Sequence, residues 1–195
     1  MVNVDYVVKG IVVGDTGVGK TSIIRRICHG DFDMDYKQTI GCDTDYFYCE
    51  DQYKRNVKVQ FWDSGGNERF NDITQSYMRG VKFILFVYDI SRRETIYNCL
   101  RWIQKSRGIV SDDVVLLILG NKSDQQWDIS SSDLEEITHE YPIPHKQISA
   151  ATGRKINTIR DYIVANIVNT YPRLTSYHTS TPIIPEKTNR CCIIQ

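Results

Sequence analysis

Residues Gly14, Asp15, Thr16, Gly17, Val18, Gly19, Lys20 and Thr21 match the pattern G-x-x-x-x-G-K-[ST], in which every invariant position has a task at a phosphate group. Glycines let consecutive backbone N–H groups curl round phosphate oxygens, and the N-terminus of a following helix adds its positive dipole end. Lys20 reaches the terminal phosphates as a point charge; Thr21 offers a hydroxyl to Mg²⁺, with Ser22 beside it. Such a loop serves adenine and guanine nucleotides alike. Asn121, Lys122, Ser123 and Asp124 form N-K-x-D after an apolar run, where a base could lie. An Asp carboxylate there can accept from both N1–H and the exocyclic amine of guanine, a donor pair that adenine lacks. The reading is therefore a guanine nucleotide with Mg²⁺, a P-loop ATPase or kinase being the disfavoured alternative.

These groups need a scaffold that ends strands where ligands bind. Tyr6 to Val13, Val57 to Trp62, Val81 to Tyr88 and Val114 to Leu119 are short, continuous apolar runs, as expected of strands buried on both faces. Ile23, Ile24, Ile27 and Cys28 share one helical face that stops near Gly30; Ile96, Cys99, Leu100 and Ile103 share another, and Ile156, Ile159, Ile163 and Ile167 mark a last helix. Alternating strands and helices predict an α/β fold, a mostly parallel sheet with helices on both faces and ligands at the carboxyl ends of the strands. Residues 43 to 53 are expected to add an antiparallel edge strand beside the Val57 run.

The chain has 195 residues, 41% hydrophobic, which suits one globular domain. Lys and Arg together number 24, as do Asp and Glu, so no global field invites nucleic acid. The start has no basic flank followed by an apolar stretch, and no run nears the roughly 18 apolar residues of a membrane span, so a cytosolic protein is expected. Cys28, Cys42, Cys49 and Cys99 are scattered without metal-ligand spacing and are expected to be reduced packing residues. From Tyr171 onward Pro, Ser and Thr replace core-forming residues, which reads as a flexible tether.

Taken together, the motifs resemble the Ras superfamily of small GTPases. Lys58 to Asp63 (KVQFWD), Arg69 to Gly80 (RFNDITQSYMRG), Val87 to Ile90 (VYDI) and Thr39 to Asp43 (TIGCD) look like its Rab branch. The resemblance implies the small G-protein form of the P-loop NTPase fold, with a six-stranded sheet, a GTPase domain over residues 1–170 and a hypervariable tail over 171–195. By position, Thr39 looks like the switch threonine that binds Mg²⁺ and senses the γ-phosphate. Asp63 resembles the acidic residue that holds Mg²⁺ through water, and Gly66 the glycine whose N–H meets the γ-phosphate. Phe32 matches the aromatic near guanine, and Ser149, Ala150 and Ala151 the loop that reads its O6. A molecular switch in vesicle traffic is implied, with exchange factor, GTPase-activating protein, GDP dissociation inhibitor or escort protein, and effectors as partners. Ile40, Trp62 and Tyr77 are the implied effector contacts.

Departures from the family matter as much. The pattern W-D-T-A-G-Q-E reads here Trp62, Asp63, Ser64, Gly65, Gly66, Asn67, Glu68, so asparagine stands where a glutamine orients the attacking water. Phosphoryl transfer depends on positioning, and a shift of about 1 Å can cost about a hundredfold, so slow intrinsic hydrolysis is expected from a machinery of Lys20, Thr39, Gly66 and Asn67. A GTP-locked membrane recruiter is the alternative. Thr44 replaces the usual phenylalanine of an aromatic patch with Trp62 and Tyr77, and Ala151 replaces a lysine. The chain ends Cys191, Cys192, Ile193, Ile194, Gln195: Cys192 onward fits a C-a-a-X box, and the double cysteine resembles Rab tails with two geranylgeranyl groups. The implied location is the cytoplasmic face of an intracellular membrane, with a cytosolic pool.

Overall fold

The computed structural model describes residues 3–35, 38–66 and 76–168. Six strands, β1 (Tyr6–Val13), β2 (Cys42–Glu50), β3 (Asn56–Ser64), β4 (Phe83–Asp89), β5 (Val115–Asn121) and β6 (His145–Gln147), form one sheet in the order β2-β3-β1-β4-β5-β6. All neighbours run parallel except β2, which pairs antiparallel with β3 from Cys42 opposite Ser64 to Glu50 opposite Asn56. Among the described residues the helices include α1 (Lys20–His29), α2 (Glu94–Ser106), α3 (Ser131–Glu140) and α4 (Ile156–Ile163), with a π-helical turn at Val164–Val168.

Each central strand feeds two cores, because successive side chains leave opposite faces. Val8 and Val12 of β1, with Phe83, Leu85 and Val87 of β4, pack with Ile23, Ile24 and Ile27 of α1 and Ile156, Ile159 and Ile163 of α4. The alternate residues Ile11, Val13, Ile84, Phe86 and Tyr88 pack with Ile96, Cys99 and Ile103 of α2 and Ile137 of α3. That two-sided burial is why these strands read as unbroken apolar runs.

The expected edge strand and the stop of α1 hold: Gly30, at φ 76°, caps that helix, and its N–H donates to the Arg26 carbonyl. The last helix differs, since α-helical spacing ends at Ile163 and Ile167 falls in the π-helical turn. Both α3 and the three-residue β6 lie outside the elements located by pattern. The tail boundary at residue 170 lies outside the described residues. Cys28, Cys42, Cys49 and Cys99 are free thiols. Among the described residues no helix is long and apolar enough to cross a membrane.

One carboxylate ties the β2–β3 turn to the sheet. Buried Asp51 accepts from the Tyr6 hydroxyl at 3.1 Å, from Arg55 Nε at 2.7 Å, and from the N–H groups of Tyr53 and Arg55 at 2.8 and 2.9 Å. Desolvation pushes its pKa up, but the Arg55 contacts and backbone N–H groups outweigh that and hold it below its usual 3.8. A depressed carboxylate contributes stability above the unfolded-state pKa and loses it as pH falls through the folded value. Asp51→Asn is therefore expected to cost about 2–4 kcal/mol in urea denaturation at pH 7, with the difference from wild type shrinking below about pH 4.

Candidate functional site

Beyond the carboxyl ends of the strands, where the chain leaves the neighbouring strands β1 and β4 toward opposite faces of the sheet, lies a cleft of ≈ 670 Å³. Thr16, Gly17, Gly19, Lys20, Thr21 and Ser22 line one end, and Phe32, Asn121, Lys122, Asp124, Ala150 and Ala151 the other, with Thr39 over the first. Asp15, Val18, Asp63, Gly66 and Ser149, also expected at the site, stand behind this lining.

At the first end, Lys20 is 5% exposed, its ammonium donating to the carbonyls of Gly14 at 3.0 Å and Asp15 at 2.8 Å. Among the described residues no carboxylate forms an ion pair with it. Burial pushes its pKa down to about 8, partly offset by Asp63 and Asp15. A buried ammonium held by two neutral carbonyls is the electrostatic complement of a polyanion. Gly66, at φ 68°, passes so close that a Cβ there would fall 2.4 Å from Lys20 Nζ and 2.7 Å from the Thr16 nitrogen. Only glycine lets that strand of backbone approach the phosphate loop.

Three oxygens converge beside the lysine. Asp63 Oδ2 accepts from the Thr21 hydroxyl at 2.6 Å and the Thr39 hydroxyl at 3.1 Å, and the two hydroxyls are 2.9 Å apart. Asp63 Oδ1 is buried without a hydrogen-bond partner among the described residues. Desolvation raises the Asp63 pKa despite the Thr21 hydroxyl and Lys20, which lower it. A hard cation with oxygen ligands suits this set: it would satisfy the orphaned oxygen and favour the charged carboxylate. The residues present fit Mg²⁺.

At the other end, Asn121 acts as a strut: its Nδ2 donates to the Val18 carbonyl at 2.8 Å, and its Oδ1 accepts from the Ala150 N–H at 3.0 Å. This joins the phosphate loop to the loop after β6. Ser149 is fully buried, and its hydroxyl accepts from the Thr152 N–H. Phe32 lines the cleft and also packs against the core.

Sequence patterns missed the residues that brace these walls. Arg26 of α1 donates to the carbonyls of Ala150, Ala151 and Gly30 at 3.0, 2.7 and 2.7 Å. Asp89, fully buried at the end of β4, holds Lys122 Nζ at 2.6 Å and Arg92 Nε at 3.0 Å, and Arg92 in turn donates to the Thr16 carbonyl. Desolvation pushes the Asp89 carboxyl up, but Lys122 and Ser91 outweigh it and keep the pKa low. Asn98 donates to Asp15 at 2.7 Å. A charged residue closing an otherwise apolar strand was the only local sign of this network.

Outside the cleft, Trp62 and Tyr77 stack with centroids 4.9 Å apart, and Lys9 lies 4.3 Å above the indole. Thr44 is the cross-strand partner of Trp62, and Ile40 is 90% exposed. Both aromatics also pack against the second core. Asn67, Cys191 and Cys192 lie outside the described residues.

Residues 9–169 match the Ras family. The chain is 31% identical over 169 residues to Ras-related protein RABA4b of Arabidopsis thaliana, covering 86% of this chain and 75% of that protein. It is 31% identical over 168 residues to Ras-related protein Rab11A of Lotus japonicus (85% and 74% covered) and 32% identical over 168 residues to Ras-related protein Rab11C of Nicotiana tabacum (85% and 75%).

The expected reading of guanine by Asp124 can be tested by changing the ligand with the residue. Asp124→Asn is expected to weaken guanine nucleotide binding by roughly a hundredfold in competition titrations, since an amide cannot accept two bonds from N1–H and the 2-amino group. Xanthine nucleotides, with a carbonyl at that carbon, should gain in the same variant.

Proposed function

The chain belongs to the Ras family of GTPases, in its Rab branch, and from that premise we propose that it works as a GTP/GDP switch in vesicle traffic. The observation that carries this reading is the meeting of Thr39 with Thr21 and Asp63, for it brings a loop between α1 and β2 to the phosphate end of the cleft. With a terminal phosphate present, Thr39 is held; after hydrolysis its partner is gone and the loop is released, an order-to-disorder transition.

Lys20 and the backbone N–H groups of Thr16 to Thr21 bind and orient the phosphates. Thr21, Thr39 and Asp63 would hold Mg²⁺, whose chemistry is to neutralise charge on the β- and γ-phosphate oxygens. Gly66 brings its N–H toward the γ-phosphate. Asn67 positions the attacking water, one methylene shorter than the family's glutamine, so intrinsic hydrolysis is slow and a GTPase-activating protein can supply the missing groups in trans. Asp124, with the aliphatic stem of Lys122 and the Ala151 N–H, selects guanine. Exchange factor, GDP dissociation inhibitor or escort protein and effectors complete the cycle, the effectors reading Ile40, Trp62 and Tyr77.

The GTPase domain spans residues 1–170, and the tail 171–195 carries lipid on Cys191 and Cys192. One chain gives marginal anchoring and two give stable anchoring, so both cysteines are modified and the protein divides between a cytoplasmic membrane face and a cytosolic pool. Asn67 also favours a second reading, a GTP-locked recruiter whose cycle is set by synthesis and exchange.

Chromatography of nucleotide released from freshly purified protein separates the two. GDP supports the switch, and GTP the recruiter. In single-turnover assays Asn67→Gln should speed hydrolysis at least several-fold; an unchanged rate would show that Asn67 does not limit it. Mass spectrometry of the C-terminal peptide from cells should find prenyl groups on Cys191 and Cys192, and an unmodified terminus would remove the membrane assignment.

A further inference from the structure

Gly65, the residue after β3, is where three segments meet. Its N–H donates to the Gly41 carbonyl at 3.0 Å, and its carbonyl accepts from the Thr16 hydroxyl at 3.3 Å. A Cβ built on it would lie 2.6 Å from the carbonyl oxygen of Thr39 and 3.2 Å from that of Gly41. The obstacle is main chain, so no side-chain rotation relieves it. Gly65 does not have a positive φ, so its backbone alone does not demand glycine. What excludes a larger residue is space.

The family pattern has alanine at this position. This chain therefore lacks one methyl group at the point where the loop bearing Thr39 docks on the sheet. The docked carbonyl and the hydroxyl that meets Thr21 and Asp63 belong to the same residue, so displacing one draws the other from the phosphate end of the cleft.

We propose that Gly65 is a positioning residue that lets the Thr39 loop dock flush on β3, and thereby sets how strongly the site prefers a nucleoside triphosphate to a diphosphate. The inference rests on the reading above that Thr39 answers to the terminal phosphate. A ligand that needs Thr39 binds only the docked arrangement, so its apparent affinity scales with the docked fraction. A ligand that makes no contact with Thr39 gains nothing from docking. A methyl group at residue 65 depletes the docked arrangement, and the loss falls on the triphosphate.

The test is equilibrium binding of a non-hydrolysable GTP analogue and of GDP to the full chain, as wild type, Gly65→Ala, Thr39→Ala and the double variant. Alanine is the family's residue here, so the fold tolerates it. Gly65→Ala should lower the triphosphate-to-diphosphate affinity ratio by about tenfold. The double variant should fall no further than Thr39→Ala, because docking then has nothing to position. Hydrogen exchange of the residue-65 amide should quicken in Gly65→Ala with the non-hydrolysable GTP analogue bound, the state in which the loop is docked, a change that owes nothing to catalysis. If Thr39→Ala lowers the ratio while Gly65→Ala leaves it within twofold of wild type, the inference is wrong and the switch reading stands. If Thr39→Ala itself leaves the ratio unchanged, the reading beneath it fails first.

Discussion

A positive charge buried with no carboxylate paired to it among the described residues organises this molecule. Lys20 occupies the first turn of α1, just beyond β1 of a sheet whose central strands are apolar on both faces. Its side chain is almost wholly buried, and two backbone carbonyls only partly replace the water it gives up. Burying an ammonium this way is unfavourable by several kcal/mol unless an anion accompanies it. The close passage of Gly66 brings main chain against the same lysine and the loop before it. Affinity for phosphate thus belongs to the folded core as much as to the surface of the cleft.

Much of this was written locally in the chain. The phosphate loop was legible because its spacing is its chemistry, and the strands because two-sided burial leaves no polar positions. Gly30 ended α1 as glycine should. The elements that escaped were those whose local signal is weak: β6 has only three residues, too few for a pattern, and α3 carries a run of acidic and hydroxyl residues with little amphipathic contrast. The bracing of the cleft escaped for a different reason. Arg26 meets Ala150 across 124 positions and Asn98 meets Asp15 across 83, and no window of sequence contains both partners. Asn121 was read by its place beside the base, yet its amide is spent tying one loop to another.

The network behind the walls makes the two ends of the cleft mechanically dependent. Asp89 holds Lys122 of the base motif and Arg92, which reaches the phosphate loop through Thr16. Asn121 makes a second bridge by way of Val18 and Ala150. Buried, charge-assisted bonds of this kind rigidify what they join, because an unpaired member would be costly. Among the described residues the wall outside this network is the Thr39 loop, which meets the rest through hydroxyls and the Gly65 peptide. Rigid walls and one loosely fastened side are what a site needs if it is to hold a ligand and still report on it.

Arg26 has a consequence of another kind. Helix α1 starts at the phosphate loop, and an arginine on its second turn reaches the carbonyls of the base loop, so one rod touches both ends of the cleft. From Lys20 to Arg26 that rod rises about 9 Å, a distance set by helix pitch. The span of the cleft is in effect ruled off by that helix. Substitutions in the surrounding loops can retune its preference among ligands of that length, but the length itself is copied from the geometry of the helical backbone, which side-chain changes barely alter.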